Sequence, residues 1–157
     1  MGLRETEQVI NEPIPVADLK YIEAKYRLAS KNQSLTQDDE FQYACCLVKS
    51  QYEDDVKKGM KMFKNLVDNS YAGARECLYY LAVGNYKLKE YSQALPLISL
   101  VLEKEPSNSQ AQDLKQLIVN KQRRDGIIGA AVLGGAASVG LIGALAAGAL
   151  LAFSRKR

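Results

Sequence analysis

The sequence predicts an all-α fold: a six-helix bundle of two helical hairpins with capping helices, plus a C-terminal transmembrane helix. Three observations carry this prediction. Apolar residues recur at helical spacing from Val16 onward, and no alternating run is long enough to make a sheet. The apolar pattern repeats itself at a shift of 35 residues. Finally, Gly126 to Phe153 forms a stretch of 28 residues without a single charge.

Residues 1–15 contain Pro13 and Pro15 in NEPIPVADL and read as a mobile N-terminal arm leading into a helix near Val16. In that helix Leu19, Ile22, Tyr26 and Ala29 fall at i, i+3, i+7 and i+10, a single apolar stripe. The polar run SKNQSLTQDD ends it, and Ser34 or Thr36 is placed to cap the next helix. FQYACCLVKS then carries Phe41, Ala44, Cys45 and Val48, and VKKGMKMFKNLV sets Val56, Met60, Phe63 and Val67 on one face. ECLYYLAVGNYKL, YSQALPLISLVL and QDLKQLI complete the helical series before the basic flank at Lys121, Arg123 and Arg124.

The internal repeat lays Tyr43 on Leu78, Cys46 on Leu81 and Val48 on Val83. It continues with Val56 on Tyr91, Gly59 on Ala94, Met60 on Leu95 and Phe63 on Ile98. Polar positions mostly fail to match, so what repeats is the buried pattern of a helical hairpin. The period is close to that of tetratricopeptide repeats, and YYLAVGNYKLKEYSQALPLISLVLEKEP resembles one. Leu81, Ala82, Tyr91, Ala94, Leu95 and Pro106 sit where such a repeat has its large, small, aromatic, small, apolar and terminating residues. Ala82 and Ala94 let two helix backbones approach, and Pro106 ends the second helix because it has no N–H to continue the ladder. The units run from about 37 to 70 and from 72 to 106. The first is degenerate, with Gly59 in the small position, and Pro96 is expected to kink the second helix of the other. Stacked repeats bury their faces only against neighbours. The helix from Val16 and a last helix over Asn108 to Asp125 are therefore expected as caps of a domain spanning 16–125.

The uncharged stretch at 126–153 exceeds the roughly 20 residues a helix needs to cross a bilayer and reads as a membrane span. Residues 154–157 form a short basic end in which Arg155, Lys156 and Arg157 are the membrane-targeting candidates. Those three account for the whole net charge of +3, because the rest of the chain balances 18 basic against 18 acidic residues. The helical domain has no excess positive charge for nucleic acid. Within the span, Gly140, Ala144 and Gly148 recur every four residues. That spacing of small side chains permits close helix contact in lipid, and so homo-oligomerisation through the span.

The polar MGLRETEQVI start has no apolar core of a signal peptide, so residues 1–125 are expected to face the cytosol and the anchor to insert after synthesis. The same start matches a myristoylation pattern, with Gly2 and Thr6 in place. Cys45, Cys46 and Cys77 are an odd set without a CxxC spacing, as expected of reduced, packed thiols.

Chemistry is scarce. The chain has no histidine, which removes the usual general base and the commonest zinc ligand. Adjacent Cys45 and Cys46 point about 100° apart on a helix and make a poor ligand pair. Glu53, Asp54 and Asp55 precede a helix, where carboxylates favour the positive end of the dipole. No Gly-rich phosphate loop is present outside the apolar tail. The expectation is therefore no enzyme, no catalytic residue, no metal, no cofactor and no small-molecule substrate.

What remains is a binding surface. In repeats of this kind the first helix of each hairpin lines a concave groove. Ala44, Leu47, Val48 and Gln51 are the candidates from the first unit. Tyr79, Val83, Tyr86 and Lys87 are those from the second. Nine tyrosines without a tryptophan suit a groove with apolar walls and hydroxyl handles, although most single tyrosines are expected to pack the core. A peptide or helix is the expected ligand, and the arm at 1–15 is a built-in competitor for the same place.

Two stretches, FQYACCLVKSQYEDDVKKG (41–59) and CLYYLAVGNYKLKEYSQALPLISLVLEKEPSNSQA (77–111), together with the Gly/Ala-rich span and basic end, resemble the mitochondrial fission 1 protein family. That resemblance implies a tail-anchored receptor on the mitochondrial outer membrane, shared with peroxisomes. It would recruit a dynamin-related fission GTPase directly or through adaptors. It also implies an N-terminal arm able to cover the groove and a tendency to self-associate. The longer, proline-containing arm and Pro96 depart from the family pattern. An alternative is a tail-anchored import or chaperone receptor using the same groove. That job favours a basic carboxylate clamp, for which only Lys87 is near in the second unit.

Overall fold

In the computed structural model, which describes residues 2–125, seven helices follow one another. They are α1 (Leu3–Asn11), α2 (Val16–Lys31), α3 (Gln37–Val48), α4 (Glu53–Asp68), α5 (Ala74–Lys87), α6 (Tyr91–Lys104) and α7 (Ser109–Arg124). The expected span, including Gly140, Ala144 and Gly148, and the basic end at Arg155, Lys156 and Arg157 lie outside the described residues. Among those described, no helix is long and apolar enough to cross a membrane.

The hairpins α3/α4 and α5/α6 coincide with the two repeat units. From α2 to α7 each helix packs on the next, as stacked helical repeats do. Their boundaries follow local chemistry. Thr36, not Ser34, caps α3: its Oγ1 accepts from the Asp39 N–H at 3.1 Å while Asp39 Oδ2 accepts from the Thr36 N–H at 3.2 Å. Glu53, Asp54 and Asp55 occupy the first turn of α4, and Asp55 accepts from Ser50 Oγ at 2.6 Å. Asn108 caps α7 by accepting from the Ala111 N–H at 3.0 Å. Glu105, kept out of the helical region before Pro106 at φ −130° and ψ 74°, ends α6. The α6 helix runs unbroken through Pro96.

The core is continuous along the stack. Val56, Met60, Phe63 and Val67 all turn inward from α4, as their spacing requires. Phe41, Phe63 and Tyr80 form an aromatic cluster between the hairpins, with Phe63 stacked on Tyr80 at 5.4 Å and edge-on to Phe41 at 5.5 Å. Gly59 sits where α3 and α4 cross most tightly. A Cβ there would meet the Ala44 carbonyl oxygen at 2.8 Å and Leu47 Cβ at 2.9 Å. That is the physical reason for the small residue shared by Gly59 and its repeat partner Ala94.

One expectation is corrected. Within residues 1–15, Leu3–Asn11 is helix, which makes seven helices among the described residues and not six. This helix breaks the sequential order of the stack. It lies against α7 and α5, at the opposite end from its chain neighbour α2. The link through Pro13 and Pro15 crosses between the two ends, held where the Ile14 N–H donates to the Lys49 carbonyl at 3.1 Å.

Candidate functional site

The first helices of successive hairpins, α3 and α5, together with α7, adjoin along one face of the stack. In solenoids that face is the concave one. Its α5–α7 part is occupied by α1, which presents Leu3, Thr6, Glu7 and Ile10 at i, i+3, i+4 and i+7. Thr6 and Ile10 are only 2% and 7% exposed, and Ile10 joins the same apolar cluster as Val83 and Tyr86 of α5 and Leu114, Leu117 and Ile118 of α7.

Three polar contacts fix its register. Thr6 Oγ1 donates to Asp113 Oδ2 at 3.0 Å. Glu7 Oε1 accepts from the Tyr86 hydroxyl at 3.0 Å and from Lys121 Nζ at 2.7 Å. The Lys121 ammonium, foremost, holds the Glu7 carboxyl below the ordinary carboxylate range. Burial, and then the bond to Glu7, raise the Tyr86 hydroxyl, which remains a donor at neutral pH. One carboxylate on α1 therefore joins α5 to α7.

The residues expected to line the groove take different places. Ala44, Leu47 and Val48 are buried between helices and offer no surface as the chain stands. Gln51, just past α3, is exposed. Tyr79 is half-buried, its ring edge-on to Tyr80 at 5.6 Å. Tyr86 meets α1 through Glu7, and Val83 lies one turn before it on the same side of α5. Lys87 is committed elsewhere: its Nζ donates to the Val48 and Ser50 carbonyls at 2.8 and 2.9 Å. It closes the C-terminal end of α3, where a cation complements the helix dipole.

The sequence named Thr6 only within a myristoylation pattern and Lys121 only within the basic flank, and it did not single out Glu7, Ile10 or Asp113. The signal was present in α1, whose inward residues keep helical spacing, but it is short and the prolines that follow it dominate the reading.

Burial disfavours the thiolate at all three cysteines. Burial above all pushes Cys45 and Cys77 up to about 12, and Cys46 is raised for the same reason. Among the described residues no three His, Cys, Asp or Glu side chains are grouped to hold a metal.

Fold and site together define a class: a tetratricopeptide-like helical scaffold whose inner face accepts an amphipathic helix. The comparisons with known proteins narrow it. The Fis1 N-terminal tetratricopeptide repeat matches residues 40–70, and the Fis1 C-terminal tetratricopeptide repeat matches 75–127. A mitochondrial fission 1 protein from Rattus norvegicus is 41% identical over 143 residues, covering 87% of this chain and 94% of its own. One from Gibberella zeae is 38% identical and covers 92% of each. The crystal structure of fission protein Fis1 from Saccharomyces cerevisiae superposes with a TM-score of 0.67 at 28% identity, over 82% of this chain and 95% of that one. Yeast Fis1 in complex with an Mdv1 fragment containing N-terminal extension and coiled coil domains gives 0.67 at 30% identity, over 74% and 91%. The chain belongs to the mitochondrial fission 1 protein family.

Proposed function

We propose that this chain is a membrane-anchored adaptor that promotes mitochondrial fission by holding a partner helix on the face formed by α3, α5 and α7. The observation that carries the proposal is the occupancy of that face by α1, an amphipathic helix seated through Ile10, Thr6 and Glu7. A surface that binds one such helix has the shape and chemistry for another. Support comes from the yeast relative solved with an Mdv1 fragment. In this reading α1 is a competitor for the partner, and displacing it breaks the Glu7 contacts to Tyr86 and Lys121. The partner is an adaptor of the fission machinery or the dynamin-related GTPase itself.

The span at 126–153 and the basic Arg155, Lys156 and Arg157 would hold the face at the mitochondrial outer membrane, with peroxisomes sharing the protein and 1–125 in the cytosol. Anchoring raises the local concentration of whatever the face binds, so no catalytic step is required of this chain. Close contact of spans through Gly140, Ala144 and Gly148 would add self-association. Docking of C-terminal carboxylates, the import-receptor alternative, is disfavoured because Lys87 already serves the α3 carbonyls.

The test is capture of fission proteins from cytosol by the full chain in lipid nanodiscs, with Val83→Lys as comparison. Wild type is expected to retain a dynamin-like GTPase or its adaptor, and the variant to lose it at a temperature where circular dichroism shows it folded. The charge at a 7% exposed position lowers its thermal transition. Equal capture by a folded Val83→Lys would remove the groove from the account.

A further inference from the structure

The end of the stack opposite α7 has an anomaly. Terminal helices of repeat arrays carry a polar outer face, because nothing stacks on them. The α2 helix does not. Its inner stripe, Leu19, Ile22, Tyr26 and Ala29, is half-buried on the α3 side, where the Tyr26 and Tyr43 rings meet at 4.7 Å. At 100° per residue, a second apolar stripe lies on the opposite side of the helix: Ala17, Tyr21, Ala24 and Leu28, at i, i+4, i+7 and i+11. All four are exposed, Tyr21 by 70% and Leu28 by 60%, so α2 is apolar on both sides.

The stripe has a charged margin. Lys20, Arg27 and Lys31 project along one edge, and Lys25 with the exposed Asp18 along the other. Arg27 pairs with Glu23 at 2.7 Å and Lys25 with Asp39 at 3.4 Å, whereas Lys20 and Lys31 have no carboxylate partner among the described residues. This margin argues against a second copy of the chain as occupant. An antiparallel pairing of two α2 helices would set the Lys20, Arg27, Lys31 edge against its own copy. A parallel pairing would set its three cations against an edge that holds Lys25 and a single carboxylate, Asp18.

We infer that the outer face of α2 is a second docking site, distinct from the α3, α5 and α7 face, for an acidic amphipathic helix of a partner protein. The occupant has large apolar residues opposite Ala17 and Ala24, small ones opposite Tyr21 and Leu28, and carboxylates along the margin that meets Lys20 and Lys31. It continues the stack by one helix, as α2 itself continues α3. Because α2 and α1 lie at opposite ends of the molecule, this site is open while α1 occupies the other.

The test uses the full chain in nanodiscs of neutral lipid and two fluorescent synthetic helices, one with leucines on one face and glutamates along both edges, the other with lysines replacing the glutamates. The acidic helix is expected to bind at least about tenfold more tightly than the basic one. A Tyr21→Lys/Leu28→Lys variant is expected to weaken it about tenfold or more, since two large apolar contacts are lost. Both side chains are exposed, so the thermal transition should hold, and Val83→Lys should leave this binding unchanged. Equal binding of the two peptides would overturn the proposal, as would binding that survives the α2 substitutions but not Val83→Lys. Sedimentation showing a wild-type dimer that Leu28→Lys dissolves would assign the face to a second copy instead.

Discussion

At the residue scale, single side chains decide how closely the hairpins approach. Gly59 is helical, and alanine at an ordinary helix position would be favoured over glycine by about 1 kcal/mol. Here the added methyl would meet the Ala44 carbonyl oxygen at 2.8 Å, a backbone atom that cannot swing aside. Gly59→Ala is therefore expected to destabilise by about 1–2 kcal/mol net, since overpacking costs more than propensity returns. Urea unfolding of the full chain in nanodiscs checks this, and a gain in stability would mean that α3 and α4 can separate. The small size at this position was legible from its alignment with Ala94 in the internal repeat. Lys87 was not legible in the same way. Nothing in its sequence neighbourhood tells a free groove cation from one that closes the end of another helix, because the carbonyls it serves lie in a different hairpin.

At the element scale, three helices end alike. Gln33, Ser70 and Lys89 follow α2, α4 and α5 with φ of 56°, 58° and 61°. At each, paired backbone bonds reach back into the last turn: Ser34 to Ala29 and Gln33 to Ser30, Tyr71 to Leu66 and Ser70 to Val67, Glu90 to Asn85 and Lys89 to Tyr86. This is the Schellman termination, which favours glycine because other residues crowd their Cβ in the left-handed region. Gln33→Gly, Ser70→Gly and Lys89→Gly are each expected to stabilise by about 0.5–1 kcal/mol, read as a raised melting temperature. The lack of glycine at these ends explains why the connections after α2, α4 and α5 left so little glycine punctuation in the sequence. Long periodic helices such as α4 were legible without it. The short α1 was not, since nine residues give only two turns of pattern and its stability comes from Asp113, Tyr86 and Lys121, far away in the chain.

At the scale of the whole molecule, the stack from α2 to α7 has two ends and one inner face, and the N-terminal helix joins one end to that face. That α3 and α5 adjoin on one side was legible from the repeat, because first helices of hairpins share a side. The occupancy of that side was not, since it depends on tertiary contacts that no local pattern records. On the proposed function, binding is a competition. A partner helix meets a face already filled, so its apparent affinity is lowered by the fraction of molecules in which α1 is docked. The most direct measurement is the equilibrium affinity of the full chain for a helical fission-adaptor fragment, compared between wild type and Ile10→Asp, a substitution that expels α1 while leaving α3, α5 and α7 intact. The account predicts tighter binding by the released form and loss of binding when Val83→Lys is added. Equal affinities for wild type and Ile10→Asp, with circular dichroism showing α2 to α7 folded in both, would contradict it.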